Sequence, residues 1–137
     1  MPRVKIWGLL AKAGLNFDRG DLLQAQNNLE QLKPLVKNNQ VDNINSNYCI
    51  ISIPLLLETD ASNIVDRILV IDVPRELQLV RASYRDKTSE KDIDAIIDSQ
   101  ISRKDRLAAA NDIVDNKGDI NDLRKKIYDL HEFYSNI

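Results

Sequence analysis

The sequence predicts an α/β fold, a parallel sheet layered with helices. Two runs of strand formers, Tyr48–Ile53 and Arg67–Val73, are apolar on both faces and are closed by Pro54 and Pro74. Runs of that kind suit buried parallel strands better than a half-exposed hairpin. Around them the apolar residues recur every three or four positions, so strands alternate with amphipathic helices.

Before residue 47 the pattern is helical and rich in Asn and Gln. An initial short helix carries Trp7, and Gly14 and Gly20 bracket the loop after it. Leu22, Ala25, Leu29 and Leu32 then share one helix face behind a candidate N-cap, Asp21. Pro34 either kinks that helix or opens the next. Beyond the two strands, Pro74 opens a helix through Leu77 and Val80 as its first residue. Ser89 with Asp92 resembles a capping box for another, whose apolar face is Ile93, Ile96, Ile97 and Ile101. A third strand, Asp112–Asp115, runs into the turn Asn116-Lys117-Gly118. The last helix presents Ile120, Leu123, Ile127, Leu130 and Tyr134.

Composition narrows the function classes. The 137 residues suit one domain, and a net charge of −2 lacks the basic excess of a dedicated nucleic-acid binder. A single cysteine, Cys49, excludes a disulfide framework, and a single histidine, His131, excludes a metal centre built on two or three. No apolar run has the length of a membrane span, and the start of the chain does not read as a signal peptide. The expectation is a cytoplasmic chain with no nucleic-acid partner, no membrane and no metal site.

In open α/β sheets ligands bind beyond the carboxyl ends of the strands. Three places there invite chemistry, each with a plainer alternative. Pro54, Leu55, Leu56 and Glu58 could form a rigid ledge beside a substrate, or a packed turn. Arg81, Arg85 and Lys87, then Arg103, Lys104 and Arg106, offer guanidinium forks suited to phosphate oxygens. Interleaved acids make a solvated, salt-bridged surface the alternative. Asp112 to Gly118 could expose backbone groups to a base edge, or simply turn the chain. His131 has no evident partner and reads as a surface or packing histidine.

In order and spacing these segments resemble dephospho-coenzyme A kinase from about Leu29 onward. The matching stretches include Leu32-Lys33-Pro34-Leu35-Val36, Tyr48 to Glu58, Val65 to Pro74, Gln78 to Arg81 and Arg85-Asp86. They continue through Ala95 to Gln100, Ser102-Arg103, Arg106-Leu107, Ala110 to Gly118, and Leu130-His131 with Tyr134. The resemblance implies a partial P-loop nucleotide-kinase-like parallel sheet with flanking helices and a helical lid over about 81–109. It implies ATP with Mg²⁺, and transfer of the γ-phosphoryl group to the ribose 3′-hydroxyl of dephospho-coenzyme A, the last step of coenzyme A synthesis. Carried over, Arg81 and Arg106 would be lid arginines on phosphates, Asn116 and Gly118 would lie near the adenine, and Pro54, Leu55, Leu56 and Glu58 would border the acceptor.

Departures from the family pattern stand at Ser52, at Lys33 in place of a histidine, and at Asn111 in place of an aspartate. The larger one is a missing motif. Gly8, Gly14, Gly20 and Gly118 nowhere form Gly-x-x-x-x-Gly-Lys-Ser/Thr, the loop that cradles phosphates and offers a hydroxyl to Mg²⁺. The expected division is a helical segment of uncertain origin over 1–33 and the C-terminal part of a kinase domain over 34–137. Such a chain is expected to be inactive alone. The alternatives are a non-catalytic interaction module, whose N-terminal helices cover a sheet face left open, and another nucleotide kinase of the same fold.

Overall fold

Apolar strand runs followed by helices leave parallel pairing as the natural way to bury both sheet faces, and the chain pairs accordingly. The computed structural model describes residues 4–9, 46–52, 55–59 and 62–137. Among them four strands form one parallel sheet: β1 (Val4–Leu9), β2 (Tyr48–Ser52), β3 (Arg67–Asp72) and β4 (Asp112–Asp115). Their order is β2-β1-β3-β4. A short 3-10 turn (Ser62–Ile64) and four α-helices complete the described fold: α1 (Arg75–Asp86), α2 (Glu90–Asp98), α3 (Arg103–Ala109) and α4 (Ile120–Ser135).

The first element departs from the sequence reading. The segment carrying Trp7 is a strand, not a short helix. Val4 and Ile6 are β-branched, and six residues are too few for a helical period to be distinguished from a strand. Pairing decides the matter. Val4 to Gly8 align with Tyr48 to Ser52 on one side, and Ile6 to Leu9 with Arg67 to Val70 on the other. Val4–Leu9 therefore fills the position between β2 and β3. The helix read over Leu22 to Leu32, the Gly14–Gly20 loop, Pro34 and Pro54 lie outside the described residues.

Two apolar clusters fix the layers. Leu69, Val114 and Tyr134 are buried together, with Tyr48, Ile71, Leu123 and Leu130 packed around them, which seats α4 on the sheet. Ala82 and Ile93 form a second cluster with Leu79, Ile96 and Ile97, joining α1 to α2. Ile120 and Ile127, read as part of the apolar face of α4, are 58% and 41% exposed. The helix rests on β4, an edge strand whose own Ile113 is exposed, so only part of its apolar stripe finds a partner. Ile101 falls beyond the end of α2 and serves through its backbone.

Local chemistry sets the helix ends. Pro74 stands one position earlier than expected, as the N-cap of α1, and its carbonyl accepts from Gln78 N at 2.9 Å. Ser89 caps α2: its Oγ accepts from Asp92 N at 3.2 Å and donates to Asp92 Oδ2 at 2.6 Å. Ser102 caps α3 in the same way through Asp105, at 3.1 and 2.7 Å. Each cap satisfies amides that a helix start leaves bare, so the register of both short helices is fixed.

Candidate functional site

Parallel strands bring their carboxyl ends to one side, and there the polar residues gather. Asp72 ends β3 with its carboxylate buried, only 5% of the residue being exposed. A bare charge in that position would cost several kcal/mol, on the order of the penalty for any ion removed from water. Arg103, at the start of α3, removes the penalty with a two-pronged fork: Nε donates to Oδ1 at 2.9 Å and Nη2 to Oδ2 at 2.6 Å. This hydrogen-bonded pairing holds the Asp72 carboxyl below the usual carboxylate range, against the opposing effect of burial.

Glu58, in the turn after β2, reaches the same helical segment by another route. Its Oε1 accepts from Ile101 N at 3.1 Å, while its Oε2 is buried with no partner among the described residues. Arg106 lies one turn beyond Arg103 and is 6% exposed, with an Nε that finds no hydrogen-bond partner there either. Burial pushes its pKa down, and the nearby charges of Asp72 and Glu58 push it back up. An arginine starts so high on the pH scale that it stays charged at neutrality. The site therefore holds a charged, buried donor and a buried acceptor, each with an open valence, beneath α3.

The turn after β4 closes the other flank. Asn116 N donates to the Asp72 carbonyl at 2.8 Å, and the Asn116 carbonyl accepts from Arg81 Nη1 at 2.6 Å. Lys117 N is held by Asp115 Oδ1 at 3.0 Å, and Lys126 Nζ reaches the Asp115 carbonyl at 3.0 Å. A Cβ on Gly118 would collide with the Asp122 side chain, which bonds Lys126 Nζ at 2.6 Å. The turn is thus built for close approach of side chains, and Gly118 is the residue that permits it.

The candidates read from the sequence are distributed as follows. Glu58 and Asp72 lie near enough for their charges to act on Arg106. Arg81 is exposed on α1 and is directed to the Asn116 turn, while Arg85 pairs with its neighbour Asp86 at 2.7 Å. Leu55 and Leu56 are buried in the turn that carries Glu58, with the Leu55 carbonyl accepting from Thr59 Oγ1 at 2.6 Å. Asp72 was missed as a site residue, and Arg103, read among the arginines suited to phosphate, is bonded to it through Nε and Nη2. The available signal was a lone acid closing an otherwise apolar strand, Ile68 to Ile71.

The opposite end of the sheet carries a separate network. Arg67 donates to Asp112 through Nε at 2.9 Å and Nη2 at 2.8 Å, and Tyr134 Oη donates to Asp112 Oδ2 at 2.8 Å. The Arg67 guanidinium also lies over the Phe133 ring, 5.5 Å from its centre. His131, expected to lack a partner, is hydrogen-bonded through Nδ1 to Tyr48 Oη at 2.5 Å. This network begins at the first residues of β2, β3 and β4 and clamps α4 to the sheet. Its bonds are structural, because it sits away from the strand ends where ligands bind.

Acid should loosen both ends of the sheet. Asp112 is held below the usual carboxylate range chiefly by its bond from Arg67, as Asp72 is by Arg103. A carboxylate whose folded pKa is depressed contributes fully above the unfolded value of about 4, and that contribution is lost as pH falls through the folded value. The urea midpoint is expected to hold steady from about pH 7 to 5 and to drop below about pH 4. Asp112→Asn should shrink that drop; an unchanged acid limb would contradict the assignment.

Among the described residues no group of three or more His, Cys, Asp or Glu is arranged to hold a metal ion, and no helix is long and apolar enough to cross a membrane. A hollow of about 340 Å³ lies instead at the sheet edge between β4 and α4, lined by Ile113, Val114, Lys126, Asp129, Leu130 and Phe133.

Comparison with known proteins bears on this arrangement. The family model for dephospho-CoA kinase matches residues 17–122. The dephospho-CoA kinase of Coxiella burnetii is 41% identical over 127 residues, covering 90% of this chain and 63% of that enzyme. That of Idiomarina loihiensis is 43% identical over 95 residues, covering 69% of this chain and 47% of that enzyme. The chain thus spans between about half and just under two thirds of the length of these curated relatives. A crystal structure of TT1252 from Thermus thermophilus shares the fold, with a TM-score of 0.61 at 18% identity, over 94% of this chain and 84% of that one.

Proposed function

The chain belongs to the dephospho-CoA kinase family, and we propose that its residues form the acceptor side, adenine side and helical lid of an ATP-dependent kinase. In this reading the γ-phosphoryl group of ATP passes to the ribose 3′-hydroxyl of dephospho-coenzyme A. The observation that carries it is the buried Arg106, charged and with an unpartnered Nε, beneath the helix over the strand ends.

Phosphoryl transfer asks a protein chiefly for positioning and for positive charge on the transferring oxygens. Arg106 supplies a fixed donor in a site from which burial has removed water, where one charge-assisted bond counts for more than at the surface. Arg81 joins the lid side to the Asn116 turn, so α1 and that turn would move as a unit around the adenine. Pro54, Leu55, Leu56 and Glu58 would border the acceptor, and the lid would comprise residues 81–109. ATP carries Mg²⁺ in such reactions. The described residues here offer arginines rather than metal ligands, so their part is binding, orienting and excluding water.

The 137 residues contain no Gly-x-x-x-x-Gly-Lys-Ser/Thr, the loop that cradles the β- and γ-phosphates and offers a hydroxyl to Mg²⁺. The purified chain is expected to bind dephospho-coenzyme A saturably by calorimetry, yet to show no turnover in a coupled ADP-release assay. Absence of binding would overturn the acceptor assignment. Turnover by the chain alone would overturn the requirement for that loop.

A further inference from the structure

The two arginines of α3 do not do the same work. Arg103 is 48% exposed in its side chain, and its Nε and Nη2 are engaged by a carboxylate that is 6% exposed. Turning those two nitrogens to a ligand would leave Asp72 buried without its main partner, a strongly unfavourable state for a buried carboxylate. Arg106, one turn on, is buried and keeps an unpartnered Nε. Two carboxylates secure the chain on either side of this start of α3. Glu58 Oε1 holds the Ile101 amide at 3.1 Å, and Asp72 holds Arg103. The Asp72 carbonyl meanwhile holds Asn116 N, so β3 braces the helix and the following turn from one residue.

We propose that Asp72 is the positioning residue of this site: through Arg103 it pins α3 over the strand ends and thereby sets the buried Arg106 to receive an anionic oxygen. Arg103 is a tether, and Arg106 is the group that meets the ligand. The inference rests on the reading of Arg106 as a phosphate contact.

Its sign distinguishes it from plain electrostatics. Asp72→Asn removes a negative charge beside Arg106, so a purely coulombic role predicts tighter anion binding. A positioning role predicts weaker binding, because α3 and Arg106 lose their reference point. The test titrates the 137-residue chain with inorganic pyrophosphate by calorimetry and follows amide hydrogen exchange across residues 101–109. Asp72→Asn is expected to weaken pyrophosphate binding about tenfold and to speed exchange in α3 by a similar factor. Arg103→Lys, which keeps the charge and loses the fork, should fall between that variant and the unmodified chain in both readouts. It also serves if Asp72→Asn does not fold.

Equal or tighter pyrophosphate binding by Asp72→Asn would overturn the proposal, as would unchanged exchange in α3 in both variants. If the unmodified chain does not bind pyrophosphate, the phosphate reading of Arg106 fails. The exchange measurement still decides whether Asp72 pins the helix.

Discussion

Arg106→Ala is expected to reduce pyrophosphate affinity by about tenfold to a hundredfold, the range set by losing one or two hydrogen bonds to a charged group. The residue is 6% exposed and lies among the charges of Asp72, Glu58 and Arg103. Removing it does more than delete a donor. Of the charges that act on Arg106, the acids Asp72 and Glu58 would then face Arg103 alone, so the site would become less favourable to an anion. Arg106→Lys keeps the charge but cannot reproduce the planar fork, and should recover only part of the loss. Calorimetric titration of both variants reads the effect, and an affinity unchanged in Arg106→Ala would remove Arg106 from the ligand contacts.

The largest loss of stability is expected from Tyr134→Ala. Tyr134 is 1% exposed, packs against Leu69 and Val114, and meets Tyr48 edge-on with ring centres 5.5 Å apart. Emptying such a site costs about 3–5 kcal/mol in lost burial and cavity formation. It also deprives the Asp112 carboxylate of the hydroxyl that donates to it. Against a typical total stability of about 5–15 kcal/mol this is a large fraction. The thermal midpoint should fall by about 10–20 °C. Tyr134→Phe keeps the ring and should cost only about 1–2 kcal/mol. Circular dichroism melts of the two variants separate packing from the hydroxyl; equal losses would mean that the hydrogen bond, not the ring, seats α4.

What could be read from the sequence was whatever lies close together along it. The runs Tyr48 to Ser52 and Arg67 to Asp72, the Ser89 cap and the strand Asp112–Asp115 each announce themselves within a few residues. The strand nature of Val4–Leu9 does not, because its two ladders are made with residues far along the chain. The same reason hid the partner of His131, which is Tyr48 at the other side of the sheet. Asp72 reads locally as a strand terminator before Val73 and Pro74; only the fold brings it to an arginine 31 residues later. Arg103 and Arg106 are equivalent as text, three apart on one short helix. Burial and a single buried carboxylate make one a tether and leave the other with an open donor.

The position of β1 governs how quickly the sheet can assemble. β2 and β3 are not paired with each other; among the described strands Val4–Leu9 joins them. A hairpin closes by local collapse, but here both ladders of the central strand need long loops to close first, and that entropy is lost before any rung forms. Until β1 arrives, β2 and β3 each present a bare edge that another chain could pair with. Refolding should therefore be slow for a chain of this size and sensitive to protein concentration, with the insertion of Val4–Leu9 as the event that separates folding from aggregation.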